Sequence, residues 1–158
     1  MHEEAKVQHL MTFIDSFDSP ERIAIRRSLA EKRVDQRSKR LKKLDPDDIP
    51  TEFDDELDFC EDIGLLTARG YLNVHDVWNE FGQWIFYLYT DSHDYLESIQ
   101  DSDYKNCREL EEKIRPIEIS EGGGAYNNPS EQELVDYYMR AIAEGAGQPS
   151  SRSRRPTH

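Results

Sequence analysis

A chain of 158 residues has the length of one ordinary domain and can bury a core without disulfides or a structural metal. It is 36% hydrophobic and 34% charged, with a formal net charge of -13; six Phe, two Trp and eight Tyr argue against general disorder. Two cysteines, Cys60 and Cys107, cannot make a disulfide framework, and no run approaches the roughly 18 apolar residues of a membrane span. The first ten residues, MHEEAKVQHL, lack the pattern of a secretory leader, so a soluble, reducing, cytoplasmic setting is expected.

From the N-terminus, Val7, Leu10, Met11, Ile14 and Phe17 share one helical face, with Glu3 and Glu4 in the first turn. Ser19, Pro20 and Glu21 then read as a helix start: a capping hydroxyl, a residue suited to the first helical position, and an acid at the positive end. The helix they open carries ten basic residues between Arg22 and Lys43 against Glu31 and Asp35. That local balance of +8 leaves -21 for the rest. Its apolar residues, Ile23, Ala24, Ile25, Leu29, Ala30 and Val34, fade after Val34. The first half is expected to pack and the second, to about Leu44, to project or fray. The DPDDIP segment, Asp45–Pro50, is a breaker leading into Thr51 as a cap.

The densest apolar pattern runs from Phe53 to Tyr89 and reads as a helical hairpin. Phe53, Leu57, Cys60 and Gly64 recur at helical spacing beside Phe59, Ile63 and Leu66. Gly70 is placed to end the helix in a left-handed cap, and Asn73 to start the next. Val74, Val77, Trp78, Phe81, Trp84, Ile85, Leu88 and Tyr89 follow as a stripe wide enough for several neighbours. The register continues through Tyr95, Leu96 and Ile99, so this helix either runs on or breaks near Thr90–Ser92. A further helix with Tyr104, Cys107, Leu110 and Ile114 is expected to close at Pro116. Residues 117–129 have linker composition. SEQE at Ser130–Glu133 matches a capping box and opens an amphipathic helix over 130–144 with Leu134, Val135, Tyr138, Met139 and Ile142 inward. A disordered basic tail is expected over 145–158. The expectation is an all-α, single-domain bundle of five or six helices around the hairpin, with the bundle proper over 1–116.

FDSPERIAIRR at Phe17–Arg27, FCEDIGLLTARGYLNVHDVWNEFG at Phe59–Gly82 and the aromatic continuation to Tyr89 occur in this order. In these features the chain resembles an uncharacterised bacterial family, the helical domain of unknown function forty-seven-sixty, over roughly Leu10 to Pro116. Phe59, Glu61, Gly64, Leu65, Leu66, Gly70, Leu72, Phe81 and Gly82 carry the likeness. Tyr89 stands where the family suggests a tryptophan, and the N-terminal membrane helix common in such proteins is not expected within these 158 residues. The resemblance implies an all-helical fold and brings neither activity nor catalytic residues.

Several patterns suggest chemistry. The His75–Asp76 and His93–Asp94 dipeptides could serve a metal-dependent phosphohydrolase, but that needs a further His and a distant Asp on the same metal. No histidine has Glu three residues before it, as helical di-iron sites require. The cluster Asp54, Asp55, Glu56, Asp58, Glu61 and Asp62 lacks the spacing and glycine of a calcium loop and reads as a solvated face that could meet the basic helix. Cys60 reads as a small buried hydrophobe, and EGGGAYNN lacks the Lys-Ser/Thr of a phosphate loop. No catalytic residue, cofactor or metal is assigned. The leading expectation is a non-enzymatic protein-interaction or regulatory module with a protein partner or self-association. The first alternative is a nucleic-acid-binding protein using the helix over 22–43, the second the phosphohydrolase; Arg26, Arg27, Arg33, Arg37 and Arg40 form the expected interaction surface.

Overall fold

The computed structural model describes residues 2–38 and 47–147, and all regular structure among them is helical. Seven helices follow in order: α1 Glu3–Phe17, α2 Pro20–Ser38, α3 Glu52–Ala68, α4 Val74–Asp91, α5 His93–Ser98, α6 Lys105–Glu121 and α7 Glu131–Gly145. No helix among the described residues is long and apolar enough to cross a membrane. The bundle has one helix more than expected because the register through Ser92 breaks. Ser92 is fully buried, its hydroxyl donates to the Leu88 carbonyl at 2.6 Å, and α5 starts beyond it.

Local signals account for most boundaries. Asn73 Oδ1 accepts the His75 and Asp76 amides at 2.9 and 3.2 Å, and Gly70 has φ +78°, letting the Tyr71 amide close onto Leu66 O at 2.9 Å. Ser130 and Glu133 form the reciprocal capping box of α7. Thr51 does not cap: it is already helical at φ -63° and makes no side-chain cap bond, and the first amides close onto Pro50 and Thr51 carbonyls instead.

The hairpin α3–α4 forms, with Phe53, Leu57, Cys60, Ile63, Val77, Phe81, Ile85 and Phe86 almost wholly buried. Its first helix packs most extensively on α6, while α2 packs most extensively on α7. The α3–α6 contact is a backbone approach, since a Cβ on Gly64 would stand 2.3 Å from Asn106 O. There Glu61 reaches across from α3 and accepts the Asn106 and Cys107 amides at 2.9 and 3.0 Å. A carboxylate from another helix thus does the work of a local cap.

One expected boundary and one expected packing are corrected. Pro116 does not close α6, which runs to Glu121. Pro116 is exposed, while Glu118 two residues on is 0% exposed and accepts the Trp78 indole at 3.1 Å, so tertiary contact carries the helix past the missing amide. Nor does α7 stand apart from a bundle that ends at residue 116, since α2 packs on it most extensively. It buries Leu134 and Tyr138 against the bundle, although Met139, expected inward, is 50% exposed. Of the expected frayed half of α2 and the expected tail, residues 39–46 and 148–158 lie outside the described residues.

Candidate functional site

Of the five arginines of the expected surface, the four that are described, Arg26, Arg27, Arg33 and Arg37, do not form one. On α2 the inner row is Arg26, Leu29, Ala30, Arg33 and Gln36, all buried, which is the 3.6-residue period read with two cations on it. Arg33 is 1% exposed, and its Nε and Nη2 each lie 2.8 Å from an oxygen of Asp91, a bidentate pair. Arg37, with its side chain 7% exposed, pairs with the same Asp91 and with Glu131 of α7. The Tyr138 hydroxyl donates to Asp91 as well, and Gln36 accepts from Arg33 Nη1 at 2.7 Å. Burial alone would raise the Asp91 carboxyl, but the Arg33 hydrogen bonds and the two guanidinium charges hold it below the usual carboxylate range. This network ties α2, α4 and α7 together.

Arg26 lies over the Phe17 ring at 3.8 Å and donates to Phe17 O at 2.8 Å. Arg27 is half-exposed and bonds Glu31 Oε1 at 2.9 Å and Gly145 O at 3.0 Å. Arg40 lies outside the described residues. Arg33 and Arg37 in the second half of α2 are therefore drawn inward, because carboxylates on α4 and α7 receive them, while Lys32 on the outer face pairs with Glu52 of α3.

Beside this network an open cleft of about 520 Å³ is lined by Arg37, Asp91, His93, Arg115, Asn127 and Glu131, among others. Arg115 is engaged there, with Nη1 donating to Asn127 O at 3.1 Å and Nη2 paired with Glu111. The cleft thus has charges of both signs already matched to one another.

The two His-Asp dipeptides do not converge. His75 stands at the start of α4, its Nε2 3.0 Å from Glu121 Oε1, and His93 starts α5 beyond the other end of α4, whose span from His75 to Asp91 is about 24 Å at the rise of a helix. His93 lies 3.9 Å from Asp94 and 3.3 Å from Glu97, all three exposed. The His93–Glu97 pair runs His to Glu at i,i+4, the reverse order of the Glu-x-x-His pattern of di-iron helices, so that pattern does not point to Glu97.

The acidic cluster is divided. Asp55, Asp58 and Asp62 are exposed, and Asp54 accepts the Tyr95 and Tyr104 hydroxyls at 2.7 and 2.6 Å. Burial, with Asp54 beside it, pushes the Tyr95 phenol up to about 12. Glu56 departs from the expected solvated face: it is 2% exposed and accepts the Trp84 indole at 2.6 Å. Cys60 and Cys107 are both buried and face each other across α3 and α6; burial raises the Cys60 thiol well above its usual value, which makes it a poor nucleophile.

Comparison with family models, with curated proteins and with solved structures gives no match.

Proposed function

We propose that the chain is a non-enzymatic protein-interaction module of the bacterial cytoplasm whose partner presents a basic protein surface. The observation that carries this reading is the placement of charge. Among the described residues 21 acidic side chains are exposed, against five exposed basic ones: Lys32, Arg69, Lys105, Lys113 and Arg140. Arg26 and Arg33 lie inside. Such a surface attracts cations and repels polyanions over a Debye length of about 8–10 Å at ordinary salt. The resemblance of the hairpin region to a helical family fits this reading and adds no activity.

Nucleic-acid binding through 22–43 is the runner-up. Of its expected residues Arg27 is half-exposed and Arg26 and Arg33 are buried, and it has to act against the acidic surface of the described residues. A phosphohydrolase would need partners for His75 and His93 that the separation of the two dipeptides does not bring together.

The test is fluorescence anisotropy with a labelled lysine-rich peptide, an acidic peptide of equal length, and mixed-sequence DNA and RNA duplexes, each at low and high salt. The expected result is binding of the lysine-rich peptide alone, weakening with salt. Duplex binding with a steep salt slope, or phosphate-ester turnover lost on His75→Ala or His93→Ala, overturns the proposal.

A further inference from the structure

A cavity of about 20 Å³ lies between α7 and the rest of the bundle, large enough for about one water molecule. Arg26 and Leu29 of α2, Glu56 of α3, Trp84 of α4, and Tyr137 and Ala141 of α7 are among its walls. Glu56 places a carboxyl group here at 2% exposure, and among the described residues the Trp84 indole is its one hydrogen-bond donor. Arg26 gives no matching ion pair. Its Nη1 is held by Phe17 O and its face by the Phe17 ring, and its buried Nη2 has no hydrogen-bond partner among the described residues. A carboxylate at this depth with one neutral donor is poorly solvated, whereas a neutral carboxyl group is well accommodated there.

We propose that Glu56, Arg26 and Tyr137 form a proton-sensitive latch, which holds α7 against the bundle when the Glu56 carboxyl is protonated and loosens α7 when it is ionised. The wall that yields is α7. It is joined to the remainder through residues 122–130 and packs chiefly on α2, whereas α3 packs chiefly on α6. The groups facing Glu56 are Arg22 and Arg26 from α2, Asp55 and Cys60 from α3, Trp84 from α4, and Tyr137 from α7. Burial is the largest influence on the carboxyl and pushes it up to about 7, against the opposing pull of Arg26, Trp84 and Arg22. The Asp91 carboxyl is held below the usual range, so the Arg33–Asp91–Tyr138 anchor keeps its charge near neutral pH; the response is a loosening rather than release of the helix.

The folded state holds this proton more tightly than the unfolded state, so stability from this group is full at low pH and falls as pH rises through about 7. Hydrogen exchange of residues 131–145, corrected for intrinsic rates, is compared at about pH 6 and about pH 8 in the wild type and in Glu56→Gln. The wild type is expected to lose protection by about tenfold over this interval, and the variant to lose none. A second readout needs no variant: the Trp84 indole resonance of the wild type is expected to titrate with a midpoint near 7. Wild-type protection independent of pH, an equal loss in Glu56→Gln, or an indole signal flat between pH 5 and 8 overturns the latch.

Discussion

Asp91 and Glu56 are both carboxylates buried against arginines of α2, yet their surroundings drive them in opposite directions. Asp91 receives two bonds from Arg33, one from Arg37 and one from the Tyr138 hydroxyl, and stays ionised. Glu56 receives one bond from an indole, while Arg26 is turned to a carbonyl and a ring, and its carboxyl is raised to about 7. The depth of burial is similar, so what decides the charge state is the number and charge of the donors that reach the oxygens. Nearness of a cation is not enough; its hydrogen bonds have to point at the carboxylate.

That contrast sets the order of expected effects. Asp91→Ala leaves Arg33 and Arg37 buried without their shared anion, and urea denaturation should show a loss of about 3–5 kcal/mol. Glu56→Gln removes a titration rather than an ion pair. The wild type should lose about 2–3 kcal/mol relative to this variant between about pH 5 and pH 8, because the raised carboxyl has to ionise in that window. An opposite slope would mean that Arg26 pairs with Glu56 after all. Tyr138→Phe deletes one of four donors to Asp91 and should cost about 1.5 kcal/mol in the same urea assay, since the carboxylate keeps its guanidinium partners. Ser130→Ala uncaps α7, which both carboxylates share, and should lower the melting free energy by about 1 kcal/mol at acid and alkaline pH alike.

The helices were legible in the sequence because their signals are local. Asn73, Gly70 and the Ser130–Glu133 box each act within a turn of themselves, and the hairpin stripe is wide enough to fix which faces go inward. The failures share one cause. The helix is carried past Pro116 by the contact of Glu118 with Trp78, forty residues away in sequence, α6 is capped from α3 by Glu61, and α2 buries Arg33 and Arg37 because α4 and α7 supply anions. A readable sign did exist for the buried network. Arg26 and Arg33 fall on the row of Leu29 and Ala30, and Asp91 lies three residues beyond Leu88 and seven beyond Trp84, so charges stood on two apolar stripes. Charges placed in that way call for partners, but periodicity does not say which ones, and so does not tell buried arginines from a basic surface.

The central claim is that the basic helix serves the interior, and a double-mutant cycle on Arg33 and Asp91 tests it most directly. Arg33→Ala, Asp91→Ala and the double variant are unfolded in urea, and each is titrated with a mixed-sequence duplex. The account predicts a coupling energy above about 2 kcal/mol and no duplex binding by any form. A coupling near zero, with duplex binding by the wild type that disappears in Arg33→Ala, would place the arginine outside and contradict the account.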